Sequence, residues 1–215
     1  MRVQIAGIKT IKDALMCVKY DCDAIGLLVG RSHNSDDFIS VSKAKEIIDC
    51  LPPFISSVII THLEDGDEII SILKETNANT VQLHSYIKEG EVRKIKKALP
   101  YVKILRLIHV SDEGKVLNEL EENFIGDCLF LDSINVKTNQ FGGTGLVHDW
   151  NKSAEIVKNT NLPVILAGGL NPNNVANAIK IVKPYGVDTN SGCKAINGYR
   201  DEEATKAFIE NSKKA

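Results

Sequence analysis

Three glycine-rich turns in the last third of the chain have the composition of an anion-binding site. The first is Gly142-Gly143-Thr144-Gly145, and the other two directly follow apolar, β-branched runs. Glycine lets backbone N–H groups approach an anion closely, and a following helix adds its positive end. In a (β/α)8 barrel the loops after the last two strands commonly build such a site. The turns therefore predict a bound phosphorylated small molecule, contacted by Gly143, Gly145, Gly168, Gly169, Asn190, Ser191 and Gly192.

Most of the apolar runs are followed by side chains that can transfer protons. All five histidines of the chain are among these side chains. In a barrel, the strand ends and the loops after them share one mouth. Histidine changes charge near neutral pH, and burial after Leu129-Phe130-Leu131 should raise the pKa of Asp132 toward that of a useful general acid. We expect catalysis from Asp132, His84, His109 and His62, and substrate contacts from Arg31, His33, His148 and Asp188.

Eight short apolar runs are predicted to be the strands that position these residues. They are Val3–Ala6, Ala24–Val29, Ser57–Thr61, Thr80–Leu83, Lys103–Ile108, Cys128–Leu131, Pro163–Ala167 and Gly186–Thr189. Amphipathic segments between them predict helices over Ser42–Leu51, Asp67–Thr76, Glu91–Leu99, Glu113–Glu122, Lys152–Asn159 and Asn173–Val182. Helix starts are indicated at Ser42, Ser111 and Asn171-Pro172.

Eight strands that alternate with helices are the count of a (β/α)8 barrel. A doubly wound open sheet would usually carry a glycine-rich turn after its first strand, and only Gly7 stands there. We therefore predict a single-domain (β/α)8 TIM barrel over residues 1–215.

Composition restricts the partners of the chain. A formal charge of −2 over 215 residues gives no electrostatic case for nucleic acid. No apolar stretch is long enough to cross a bilayer, and no signal peptide is visible. The five cysteines form no CxxC pair, which favours a reducing compartment. We expect a cytoplasmic monomer or homodimer whose partner is a phosphorylated small molecule, with neither nucleic acid nor membrane as a partner.

Several motifs spread from one end of the chain to the other share the pattern of one family. They are Ile5-Ala6-Gly7-Ile8-Lys9, Asp23-Ala24-Ile25-Gly26, Leu51-Pro52-Pro53-Phe54, Val81-Gln82-Leu83-His84, Leu131-Asp132, Gly142-Gly143-Thr144-Gly145, Asp149-Trp150, Ala167-Gly168-Gly169-Leu170-Asn171-Pro172 and Gly186-Val187-Asp188. Together they resemble the phosphoribosylanthranilate isomerase family, barrel enzymes of tryptophan biosynthesis.

This resemblance implies an Amadori rearrangement, in which an acid opens the ribose ring and a base removes the C2 proton of the sugar. Asp132 matches the acid of the family. The base of the family is a cysteine in the first-strand motif, and Ala6 stands there. The second loop of the family carries an arginine after a serine, whereas residues 35–39 are acidic. We expect that region to repel an anthranilate carboxylate unless Arg31 takes over.

The glycine-rich turns of the family are present, whereas the residues expected to react with the substrate differ from those of the family. This combination favours an isomerase that acts on a phosphorylated sugar or sugar conjugate, with an altered substrate. We expect it to use no cofactor or metal. One alternative is a genuine phosphoribosylanthranilate isomerase with a substitute base, expected to be a histidine. A second is a metal-assisted sugar-phosphate enzyme, with ligands from His62, His84, His109 and Asp132. A third, of a different class, is a non-catalytic protein that binds a phosphorylated ligand.

Overall fold

Eight parallel strands close into a barrel in the computed structural model, which describes residues 1–30, 35–117, 124–135, 140–141 and 148–215. The barrel strands are β1 (Arg2–Ile5), β2 (Ala24–Leu28), β3 (Ser56–Thr61), β4 (Thr80–Leu83), β5 (Lys103–Ser111), β6 (Cys128–Asn135), β8 (Val164–Leu166) and β9 (Gly186–Thr189). A short strand β7 (Gln140–Phe141) pairs antiparallel with β6. Strand β9 pairs with β1, and β5 pairs with β6, so the sheet has no open edge between these eight strands. The predicted (β/α)8 barrel is confirmed.

Seven helices in the described residues pack around the barrel. They are α1 (Ile11–Lys19), α2 (Val41–Asp49), α3 (Gly66–Thr76), α4 (Glu89–Ala98), α5 (Trp150–Asn159), α6 (Val175–Val182) and α7 (Glu202–Lys214). The strand and helix list derived from the sequence omitted α1 and α7. None of these helices has the length and apolar character needed to cross a membrane.

Two predicted helix starts lie a few residues from the observed ones. Helix α2 begins at Val41, because Ser40 rather than Ser42 is its N-cap and accepts a hydrogen bond from the Lys43 N–H. Helix α6 begins at Val175, after a turn in which the Asn174 side chain accepts from the N–H of Asn171. Pro172 lies in that turn, in which the Asn171 side chain accepts from the Asn173 N–H and the Asn171 carbonyl accepts from the Val175 N–H, so the predicted start lies just ahead of the observed one.

The helix predicted to start at Ser111 is wrong over its described part. Ser111 ends β5, and its hydroxyl accepts from the N–H groups of Glu113 and Lys115. Gly114 has a φ of +76°, which turns the chain back so that the Leu117 N–H donates to the His109 carbonyl. Residues 118–122 of that prediction lie outside the described residues.

The alternation of the strands divides the core into two layers. Leu129 and Leu131 of β6 join the large cluster between the barrel and its helices. Phe130 belongs to a second cluster inside the barrel, and Asp132 follows it at the same two-residue period. The inner layer therefore ends in a polar group at the carboxyl end of the strand, which is where barrel enzymes place their chemistry.

Candidate active site

Three of the predicted catalytic residues come together at the ends of neighbouring strands. His109 and Asp132 are direct partners in the register of β5 and β6. His84 follows β4, and its N–H donates to the Thr61 carbonyl. Its Nε2 lies 3.4 Å from Asp132 Oδ2, and only 10% of either side chain is exposed. His84 and Asp132 therefore form a nearly buried acid–base pair.

The carboxyl group of Asp132 accepts two hydrogen bonds. The Ser133 N–H donates to Oδ1 at 2.7 Å, and His84 approaches Oδ2. Burial by itself would raise the pKa of Asp132, but His84, the charge of His109 and the Ser133 N–H outweigh it and lower that pKa. The expectation of a raised pKa was therefore wrong, because burial was considered without the donors that the barrel brings together.

A line of hydrogen bonds crosses the barrel interior toward Asp132. Gln4 Nε2 donates to Gln82 Oε1 at 3.0 Å, and Gln82 Nε2 lies 3.1 Å from His84 Nδ1. An amide nitrogen only donates, so Nδ1 accepts and the ring proton of His84 resides on Nε2, facing Asp132. The two glutamines therefore set the tautomer in which His84 donates to Asp132.

Imidazole and aromatic rings line one side of the barrel mouth. The ring centroids of His62 and His84 are 4.9 Å apart, and Phe38 stands 5.9 Å from His62. The Tyr86 hydroxyl lies 3.2 Å from His109 Nδ1. Burial lowers the pKa of His109 to about 4, so this ring is neutral at pH 7. The wall thus offers mostly uncharged, flat surfaces to a ligand.

Asp188 is the second carboxyl group of the site. It lines a small pocket shared with Asp132 and with the turns after β8 and β9. Its side chain is buried, and within the described part of the chain its Oδ1 has no hydrogen-bond partner. Burial and the nearby charge of Asp132 raise its pKa to about 8, despite a hydrogen bond from Gln4. Asp188 is therefore mostly protonated at neutral pH.

Two of the three glycine-rich turns form the opposite side of the same pocket. Gly168, with a φ of +78°, leaves no room for a Cβ, which would lie 2.7 Å from the Ser133 nitrogen. A Cβ on Gly192 would overlap the Leu170 carbonyl oxygen. No described residue accepts a hydrogen bond from the N–H groups of Gly169, Ser191 or Gly192. Gly169 and Ser191 line the pocket, so their N–H groups, unpaired among the described residues, meet one requirement of the phosphate prediction.

Some of the predicted site residues do not line this pocket, and others lie outside the part of the chain that the structure describes. Arg31, His33, Gly143 and Gly145 lie outside the described residues. His148 lies beside this pocket, where its Nδ1 would be 3.0 Å from a Cβ placed on Gly168. It is buried with Nε2 2.7 Å from Ser153 Oγ, in the first turn of α5. Burial lowers its pKa to about 4.

Of the two aspartates in the acidic second loop, Asp36 is exposed, whereas Asp37 is buried and paired. Asp37 is buried, with Oδ1 2.7 Å from Lys194 Nζ and Oδ2 3.0 Å from Asn190 Nδ2. Phe38, the next residue, packs toward His62 and against an apolar cluster of Ala6, Leu28, Val58 and Ile60. The Asp37 charge is thus paired beside the β9 turn, which removes one of the two loop carboxylates from the expected repulsion of a ligand carboxylate.

A larger cavity opens at the amino ends of the strands, lined by residues such as Lys103 and Tyr185, and none of the predicted site residues faces it. The described His, Cys, Asp and Glu side chains form no group of three or more suited to a metal ion. The metal-assisted alternative therefore gains no support from the geometry.

Comparison with known proteins shows which family the chain belongs to. Residues 3–211 match the family model described as N-(5'-phosphoribosyl)anthranilate (PRA) isomerase. The chain belongs to the phosphoribosylanthranilate isomerase family. N-(5'-phosphoribosyl)anthranilate isomerase 2 of Methanosarcina mazei is 43% identical over 213 residues, covering 99% of this chain and 94% of the relative. The Methanocella arvoryzae isomerase is 37% identical over 209 residues, covering 97% and 96%.

Solved isomerase structures of the family share the whole fold. The phosphoribosylanthranilate isomerase of Thermotoga maritima superposes with a TM-score of 0.84 at 30% identity, covering both chains fully. A family structure in complex with reduced 1-(o-carboxyphenylamino)-1-deoxyribulose 5-phosphate gives a TM-score of 0.80 at 28% identity, again covering both chains fully. The resemblance drawn from the motifs is confirmed, and the family is one of isomerases.

Sequence reasoning missed the residues that support the acid–base pair. Gln4 and Gln82 were not predicted to act, although each is a polar residue at an inward position of an apolar strand. Period-two alternation would have placed both inside the barrel, where an amide needs a partner. Tyr86 lies beyond β4, and its contact with His109 depends on loop geometry that the sequence pattern does not show.

Proposed function

We propose that this protein is a phosphoribosylanthranilate isomerase, which converts N-(5'-phosphoribosyl)anthranilate to 1-(o-carboxyphenylamino)-1-deoxyribulose 5-phosphate. The observation that carries the proposal is the pocket in which Asp132 and Asp188 face the glycine turns after β8 and β9. An Amadori rearrangement needs an acid, a base and an anchored phosphate, and this pocket offers groups for all three roles.

The phosphate group of the substrate would lie on the turns at Gly169 and Ser191. Their N–H groups have no other described acceptor, and close backbone approach is possible because Gly168 and Gly192 carry no side chain. Backbone donors of this kind bind phosphate without a positively charged side chain. Anchoring at this end fixes the distance from the phosphate to the ribose carbons that react.

The anthranilate ring would lie against the wall of Phe38, His62 and Tyr86. Flat rings favour offset or edge-on packing at the centroid distances seen in this wall. Because Lys194 pairs with Asp37, one of the two carboxylates whose repulsion argued for an altered substrate is neutralised. Together with the names of the full-length relatives, this favours the family reaction with substitute acid–base groups over a new substrate.

Complementation tests this function directly. A tryptophan-requiring bacterial strain that lacks its own phosphoribosylanthranilate isomerase should grow without tryptophan when it expresses this chain. The matched control is Asp132→Asn, which keeps the shape of the side chain and should not support growth. Absence of growth with wild-type protein that is present at the same soluble level as a complementing relative would contradict the proposal.

A further inference from the structure

The position of the missing cysteine base offers no proton acceptor. Ala6 is buried in an apolar cluster with Leu28, Val58 and Ile60. Strand β2, on one side of β1, contributes only apolar residues and a glycine. The groups that exchange protons with the substrate must therefore come from other strands.

Donor geometry distinguishes the two carboxyl groups of the pocket. Asp132 accepts from the Ser133 N–H and from His84, whose Nδ1 lies 3.1 Å from the Gln82 amide nitrogen, so its ring proton points toward Asp132. A carboxyl group that meets two donors is held as a carboxylate. Among the described residues, Asp188 meets one donor, the Gln4 amide, and its Oδ1 meets none although the side chain is buried. A carboxyl group in that setting is held in its neutral form.

The charged and titratable groups around the two carboxyls agree with this division. Asp188 and Asp132 line the same small pocket, Arg200 and Cys193 also lie near Asp188, and the pKa of Asp188 is raised to about 8 mainly by burial and then by Asp132. The titratable groups near Asp132 are His84 after β4, His109 of β5 and His148, and the effect of burial is outweighed so that the pKa of Asp132 is lowered. Pairs of titratable groups whose environments separate their pKa values mark the acid and the base of a site.

We propose that Asp188 is the general acid and that Asp132, oriented by His84, is the base, the reverse of the role that the family resemblance gives to Asp132. This inference rests on the proposed function. It explains how the chain works with alanine at position 6, because in the free enzyme at neutral pH the acid already holds a proton and the base is already ionised.

Each proton and electron pair has a destination in this scheme. Asp188 gives its proton to the ribose ring oxygen as the C1–O bond breaks, and the anthranilate nitrogen lone pair forms the C1=N bond. Asp132 takes the C2 proton, the C2–H electrons form C1=C2, and the C1=N electrons return to nitrogen. Asp132 then protonates C1, while Asp188 takes the hydroxyl proton as the C2 ketone forms, which regenerates both groups.

The pH dependence of kcat/KM separates this assignment from its reverse. If Asp188 is the acid, kcat/KM of the wild type falls as pH rises through about 8, because the acid loses its proton. Asp188→Asn should lower kcat/KM by about 10²–10⁴-fold and abolish that alkaline limb. A wild-type kcat/KM that instead rises through pH 8 would make Asp188 the base and overturn the inference.

Substrate deuterated at C2 gives a second, independent readout. Asp188→Asn slows ring opening, so the isotope effect on kcat/KM should shrink relative to wild type. Asp132→Asn slows proton removal, so the effect should persist or grow. The opposite pattern would overturn the assignment.

Controls separate loss of chemistry from loss of the fold. Inorganic phosphate should bind Asp188→Asn and wild type alike, as measured by calorimetry, because asparagine mimics the neutral acid. Glu75→Gln, an exposed carboxyl in α3, should retain wild-type kcat/KM. Wild type that does not convert the substrate would refute the proposed function and this inference with it, whereas an active wild type with an equally active Asp188→Asn would refute the inference alone.

Discussion

The phosphate end of the pocket is made of backbone, whereas the reacting end is made of side chains. At the phosphate end, Gly168 and Gly192 bring the chain so close to Ser133 and Leu170 that a single added carbon would collide. At the reacting end, Asp132 depends on groups from two other strands. Gln82 lies in β4, His84 directly follows that strand, and Gln4 lies in β1.

This difference explains which end of the site can change. A backbone cradle has no substitute for glycine, because its donors must stay where they are. Side chains that share one barrel mouth can exchange roles, since several strands reach the same space. Alanine at position 6 is therefore tolerable in a way that a side chain at Gly192 is not.

The largest expected effect separates the two ends. Asp132→Asn should lower kcat by about 10²–10⁴-fold, because the base is lost. The affinity for inorganic phosphate, measured by calorimetry, should stay within about twofold of wild type, which is well under 1 kcal/mol. Equal losses of kcat and phosphate affinity would mean that the two ends are not independent.

Gly192→Ala should instead weaken phosphate binding. The new methyl group would overlap the Leu170 carbonyl, displace the turn and weaken phosphate binding by about tenfold or more, since each lost backbone hydrogen bond contributes about 1 kcal/mol. Gly90→Ala is the matched control, because nothing lies near its added carbon within helix α4. Unchanged phosphate affinity in Gly192→Ala would remove this turn from the site.

Gln82 sharpens the account of the reacting end. Gln82→Leu removes the donor to His84 Nδ1, so the tautomer that serves Asp132 is no longer fixed, and kcat should fall by about tenfold with little change in KM. Gln82→Glu offers an acceptor instead, moves the ring proton to Nδ1 and should shift the acidic limb of the pH–rate profile. An unaltered pH–rate profile in Gln82→Glu would contradict the claim that Gln82 sets the tautomer of His84.

The smallest effect concerns stability. Burial holds the pKa of His148 at about 4, below its ordinary value of about 6.5. The unfolded chain therefore takes up a proton as pH falls from about 6.5 to 4, and the folded chain loses up to about 3 kcal/mol of stability over that window. Urea unfolding of His148→Gln should show a smaller loss between pH 7 and 4.5 than wild type does. Equal losses in both proteins would mean that His148 titrates normally.

The same contrast governs what could be predicted from the sequence. Gly168, Gly169 and Ser191 follow apolar runs directly, so local pattern was enough to place them. The barrel followed from eight alternating units, although α1 and α7 were missed and the turn at Gly114 was taken for a helix. The direction of the Asp132 pKa shift was predicted wrongly, because one of its two donors, His84, follows β4 and is far away in the sequence. The ionisation of Asp132 depends on contacts that form when the barrel closes, and the local sequence pattern does not show these contacts.

Turnover by the purified protein is the most direct test of the central claim. Wild-type protein should convert N-(5'-phosphoribosyl)anthranilate with a kcat/KM of about 10⁴ M⁻¹s⁻¹ or more at pH 7, within the ordinary range of enzymes. The loss of substrate fluorescence over time, with Asp132→Asn as the inactive reference, measures it. Wild-type protein that binds phosphate yet converts the substrate no faster than Asp132→Asn would contradict the account and leave a protein that only binds its ligand.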